Sequence, residues 1–263
     1  EDPLFFQTVR VSLNEDSINL LESGGSAKVL TQIPGQTKTR SIPVKMMEFG
    51  ITEGQVFPKI PTLNHFLNSY NFLSLEPDNR TLMIAPGNWR VHGDLVLPQG
   101  FALRAGPGTL ISFDENAILL TTGPINLHGT EENPVVLQPN GESWGGILVL
   151  NADSPSVWEH VTVRNTTGVT RPGLGVTGGV TFYRSPTFLR NVRFLGSRAE
   201  DSLNVVLSGV DIIDSQFDDA ISDAFDGDSV TGTVRSSVFR RIGGDAVDIA
   251  SSDIRGNNLI FQD

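Results

Sequence analysis

The chain has 263 residues, no cysteine, 38% hydrophobic residues and a net charge of −11 from 19 Lys+Arg against 30 Asp+Glu. Those figures exclude disulfide scaffolds, Cys-ligated zinc, iron–sulfur clusters and thiol nucleophiles, and the acidity argues against a nucleic-acid partner. No apolar run approaches the roughly 18 residues of a membrane helix, and the first residue is Glu1, so any signal peptide is expected to have been removed or left out.

With 27 Gly and 15 Pro against 2 Tyr and 3 Met, the composition suits short strands joined by turns. Residues 1–60 read as a β-rich cap or small domain. Val9, Val11 and Leu13 alternate with polar neighbours, runs follow at 18–21, 28–33 and 41–49, and Gly24-Gly25 and Pro34-Gly35 supply turns. All the lysines (Lys28, Lys38, Lys45, Lys59) lie in this stretch, which supports a boundary at 60–80. One short capping helix is expected within 61–80, where Leu63, Phe66, Leu67 and Tyr70 recur at helical spacing behind Pro61 and the N-cap candidate Thr62.

From 81 to 263 the chain repeats. Phe194, Phe217, Phe239 and Phe261 follow one another at steps of 23, 22 and 22 residues, with Asn191, Asp214, Ser236 and Asn258 three positions before each. Trp158, His160 and Val163 fit one step earlier once an insertion of about nine residues within 167–179 is allowed. A period of about 22 residues without a helix in the unit predicts a parallel β-helix of seven or eight rungs, equal positions of successive repeats lying above one another at about 4.8 Å.

The segments Ile84-Ala85-Pro86-Gly87-Asn88-Trp89, Leu97-Pro98-Gln99-Gly100-Phe101-Ala102-Leu103 and Gly106-Pro107-Gly108-Thr109-Leu110-Ile111-Ser112-Phe113 resemble opening rungs of the pectate lyase-like superfamily. Gly129-Thr130, Asn133-Pro134-Val135 and Trp144-Gly145-Gly146-Ile147 are similar to a signature of secreted bacterial β-helix proteins. The resemblance covers roughly 80–263. It implies an all-β, right-handed parallel β-helix, a secreted or cell-surface location and a carbohydrate ligand; if the protein is an enzyme, it would be a polysaccharide lyase, epimerase or glycoside hydrolase.

Chemistry is most concentrated in the last three repeats. Asp201, Asp223 and Asp245 form one ladder, and Asn204, Asp226 and Asp248 a second. Like charges in adjacent rungs need a cation, turn amides or a proton. Alternation predicts Phe225 and Val247 inward and Ala224, Asp226, Ala246 and Asp248 outward, with Asp228 beside Asp226. Asp223, Asp226, Asp245 and Asp248 are therefore candidate Ca2+ ligands, hard oxygens favouring that ion. Asx turn capping is the competing account.

In the lyases that the sequence resembles, calcium bridges a sugar carboxylate and a basic residue removes a proton. No lysine is available in the repeats. Asp226, Asp248, Arg198 and Arg235 are the catalytic candidates, the arginines only by repeat position. A hydrolytic pair would be Asp223 with Asp226, or Asp245 with Asp248. Asp218 and Asp219 face Arg240 and Arg241 one repeat later and are read as structural pairs. His65, His92, His128 and His160 show no metal-ligand spacing, and His160 takes a turn position. Trp144 and Trp158 are expected in the core, while Trp89 is left open between core and sugar stacking. The insertion is read as an overhang beside a groove or as a disordered loop.

Two functions follow as expectations: polysaccharide binding, with or without processing, or a structural or adhesive spacer in a larger surface protein. No nucleic acid and no membrane span are expected. The last repeat stops two residues past Phe261, so further rungs or another subunit are expected on that end.

Overall fold

A computed structural model describes residues 27–32, 39–44, 60–171 and 174–263. The expected strands around Val9 and at 18–21, the turns at Gly24-Gly25 and Pro34-Gly35, and Lys38, Lys45 and Lys59 lie outside them. The chain divides into two compact units, Glu1–Gly54 and Gln55–Asp263. In the first, Ala27–Gln32 pairs antiparallel with Thr39–Val44, overlapping the runs 28–33 and 41–49 expected to be extended.

The second unit opens with the helix Leu63–Ser69, whose Phe66 is buried while Leu63, Leu67 and Tyr70 pack partly against the core. Thr62 holds the N-cap position in an extended conformation, but its side chain makes no capping hydrogen bond. The helix is held by packing. Leu73–Leu75 then pairs antiparallel with Thr81–Ile84, and from there the strands of the coil pair in parallel.

Those strands stack as three faces of a parallel β-solenoid of about 8 turns, with about 23 residues per turn, 58% strand and 3% helix. Thr81–Ile84, Ala102–Ala105, Ile125–His128, Gly209–Ile213, Thr231–Arg235 and Asp253–Asn257 belong to the first face. Gly87–Val91, Thr109–Phe113, Val135–Pro139, Gln216–Ala220, Val238–Ile242 and Ile260–Gln262 form the second. The nine-residue strands Ser156–Arg164 and Thr187–Leu195 run through the corner between them and contribute to both. The third face is Leu95–Val96, Ile118–Thr121, Gly146–Leu150, Gly178–Tyr183, Asp201–Val206, Asp223–Asp228 and Val247–Ala250.

The corners explain the polar columns in the sequence. His160, Asn191, Asp214, Ser236 and Asn258 all have φ of 50–53°, and they turn the chain from first to second face. Asn165, Gly196, Asp219 and Arg241 do the same from second to third face, and Asn151, Arg184, Leu207, Ser229 and Ser251 from third to first. One left-handed residue redirects an extended chain sharply, and short polar side chains tolerate that region best. Several corners are followed by a serine. Ser215, after Asp214, donates to the Ile213 carbonyl and accepts from Val192 N–H in the adjacent rung; Ser237 likewise donates to Arg235 and accepts from Ser215 N–H. Backbone groups displaced from the ladder at the bend are thereby satisfied.

The core fills the coil from Phe66 to Phe239. Phe194, Phe217, Phe239 and Phe261 are Cα partners in register, their rings stacked at 4.7, 5.0 and 5.4 Å. Trp144 and Trp158 are fully buried, each donating its indole N–H to a backbone carbonyl, of Arg164 and Ile125 respectively. The glycines after Trp144 have a steric reason: Gly146 has φ +124° and lies against the Gly179 carbonyl, where a Cβ has no room.

The insertion forms an antiparallel hairpin, Val169–Arg171 with Leu174–Val176. Instead of overhanging a groove, it covers the outer side of the third face. Val169, Leu174 and Val176 pack on Val96, Ile118, Leu120 and Leu148, and Arg171 pairs with Asp94. That packing is why the early strands of this face are apolar on both sides. At the other end Phe261 is 59% and Ile260 46% exposed.

Candidate functional site

Beyond the hairpin, the outer side of the third face changes from apolar to acidic. The column that runs through Val96, Leu120 and Leu148 continues through Thr181, Asn204, Asp226 and Asp248, in parallel register. At the entry to the same strands, Asp201 is the Cα partner of Asp223. Asp223 Oδ1 accepts from Asp245 N–H at 2.7 Å, and Asp245 returns its carbonyl to Ala224 N–H at 2.9 Å.

Of the four aspartates expected to bind a cation, the fold brings three together. Asp223, Asp245 and Asp248 have carboxylate oxygens within 4.8 Å of one another. Asp226 is not in that trio. It is half-buried and accepts from Asn204 Nδ2 at 2.6 Å, while burial, and then the charges of Asp201 and Asp228, push its carboxyl up to about 7. Asp201, the ladder member not selected as a ligand, sits deepest. Only 3% exposed, it has an Oδ2 without a hydrogen-bond partner among the described residues, and burial pushes its carboxyl up to about 6. The Thr177 side chain opposes that rise, whereas Glu200, Asp223 and Asp228 add to it. Every charged group acting on Asp201 and Asp226 is a carboxylate.

Ala224 differs from the expected outward position: it is fully buried in the core beside Phe225, and Ala246 also packs inward. Strict alternation fails here: Ala224 and Phe225 are consecutive residues of one strand and both are fully buried. The arginine candidates do not converge on the aspartates. Arg235 lies on the first face, with Ile213 and Asn257 as Cα partners. Arg198 is an exposed side chain 3.7 Å from Glu142. The repeat charges do pair between rungs: Arg240 Nε reaches Asp218 at 2.7 Å and Arg241 Nε reaches Asp219 at 2.6 Å.

Thr177 is the member of this site that sequence reasoning passed over, whereas Asp201 stands in the ladder but outside the expected ligands. The 22-residue spacing already held Asp201, but its burial comes from packing between rungs. Thr177 belongs to the insertion and has no repeat partner to mark it.

No protein family, curated protein or solved structure matches the chain. The solenoid therefore rests on the chain's own geometry, and the pectate lyase-like resemblance on the sequence segments that carry it.

Proposed function

We propose that this is a secreted or cell-surface protein that binds an acidic polysaccharide on the third face of its solenoid, through Ca2+ held by Asp223, Asp245 and Asp248. The observation that carries the reading is this convergence of three carboxylates from two adjacent rungs. The Asp201 carboxyl one rung before Asp223, whose Oδ2 has no hydrogen-bond partner among the described residues, supports it, because the charged groups acting on it are carboxylates and a cation relieves such repulsion. Hard oxygen donors suit Ca2+, which takes six to eight ligands, so three carboxylates leave positions for water and a sugar carboxylate. The likeness of the opening rungs to pectate lyase-like proteins points to the same ligand class.

The arginine candidates lend no support to a lyase step, since Arg235 lies on the first face and the exposed Arg198 is 3.7 Å from Glu142. The second reading, a structural or adhesive spacer, draws on one specific contact: Asp223 already caps the Asp245 N–H, as a purely structural turn would.

Calorimetric titration with Ca2+ at pH 7.5 separates the two. Saturable binding is expected, lost in Asp245→Asn and Asp248→Asn, with Ca2+-dependent retention on polygalacturonate. Absence of saturable Ca2+ binding in the wild type would leave the spacer.

A further inference from the structure

The solenoid has a second chemically distinctive surface, at its N-terminal end and remote in sequence from the aspartates. Phe66, Tyr70, Phe72 and Trp89 form a continuous chain of rings with centroids 5.2, 5.5 and 5.3 Å apart. Phe66 and Phe72 are buried, whereas Tyr70 and Trp89 are half-buried, packed on the core from one side and lining a cleft on the other. A cleft of about 470 Å3 is lined by Ser69, Tyr70, Asn71, Phe72, Trp89, Arg90 and His92, and another of about 330 Å3 shares Ser69 and Tyr70 with it. Both fall in the range of about 300–1,000 Å3 typical of small-ligand sites.

The rim is polar and ordered. Asp114 accepts from Arg90 Nε at 2.9 Å and pairs with His92 Nδ1 at 2.9 Å. With its amide turned so that the oxygen faces Arg90, Asn140 takes the guanidinium at 2.7 Å from Nη2. Trp89 has its indole N–H committed to the Ala85 carbonyl at 2.7 Å, so the ring is fixed. A rigid aromatic surface beside a preorganised rim of donors and acceptors matches a pyranose, whose C–H face is apolar and whose edge carries hydroxyls. An acyl chain would meet the Arg90–Asp114–His92 network. A phosphate would find Arg90 already neutralised by Asp114 in a chain of charge −11.

We infer that this cleft is a saccharide subsite, in which a sugar ring stacks on Trp89 beside Tyr70 and its hydroxyls are bonded by Arg90, His92 and Asn71. The class of ligand follows the carbohydrate reading above, whereas the place depends on other residues and needs no Ca2+.

Trp89 supplies its own probe. Trp144 and Trp158 are 0% exposed, so acrylamide quenching of tryptophan emission reads Trp89 alone. The full chain is titrated with cellohexaose and with an oligogalacturonide, in EDTA and in Ca2+. Protection of Trp89 in EDTA by either sugar is expected. Its midpoint should be weakened about tenfold in His92→Ala, the loss of one hydrogen bond; the 71% exposed imidazole leaves the core untouched. Unchanged quenching with both sugars overturns the subsite. Ca2+-dependent retention on polygalacturonate without Trp89 protection overturns it as well while leaving the third-face reading intact, and Trp89 protection without Ca2+ binding does the reverse.

Discussion

Asp201 holds a carboxylate where its surroundings disfavour ionisation, and Asp226 one rung later is in the same position. Their folded carboxyls titrate at about 6 and about 7, against about 3.9 for an unfolded aspartate. Between those values the folded chain binds more protons than the unfolded one. The stability these two groups contribute is therefore complete below about pH 4 and is lost as pH rises through 6 and 7. Asp114 and Asp219 are held below the usual carboxylate range, by the His92 and Arg241 hydrogen bonds first, so they titrate under this window. In EDTA the melting temperature should fall from pH 5 to pH 8, and Asp201→Asn should flatten the fall. A wild-type melting temperature that rises over this interval would contradict the burial of these carboxyls.

At the scale of elements, the corners add side-chain bonds between rungs to the strand ladders. From Asn151 onward each turns on one residue at positive φ, and side chains at or beside it bond to the adjacent rung. Asp218 and Asp219 illustrate how burial sets the worth of neighbouring ion pairs. Asp218 is buried and also bonded by Gln216, whereas Asp219 and Arg241 are both exposed. Arg240→Ala should cost about 1–3 kcal/mol by leaving a buried carboxylate short of a partner. Arg241→Ala should leave the denaturation midpoint nearly unchanged, because an exposed pair is screened by solvent. Equal losses in the two variants would refute that assignment. The 22-residue columns made both pairs legible in the sequence. Their unequal burial was not, because exposure depends on how the corner tilts each side chain.

For the whole molecule, stability is distributed along a one-dimensional stack in which each turn contacts only its neighbours. Phe217 is sandwiched between Phe194 and Phe239 at 4.7 and 5.0 Å and fully buried. Phe217→Ala should cost about 3–5 kcal/mol in urea denaturation. Phe261 has a neighbour on one side in this chain and is largely exposed, so Phe261→Ala should fall within about 0.5 kcal/mol of wild type. Similar costs for both would mean that the stack does not hold the coil together. Among the described residues, no helix is long and apolar enough to cross a membrane.

Periodicity alone determined the parallel solenoid, the register of the phenylalanine column, the turn role of the His160 column and the two acidic ladders. A coil that superimposes equal positions turns linear spacing directly into contact. The tertiary structure alone decided that Asp226 stands outside the trio of Asp223, Asp245 and Asp248, that Ala224 points inward, and that Arg235 is on another face. It also laid the inserted hairpin over the early third face and joined Tyr70 to Trp89 in one cleft. These depend on the angle at which each corner turns the chain and on what non-repeating segments cover, and neither is written in a repeat.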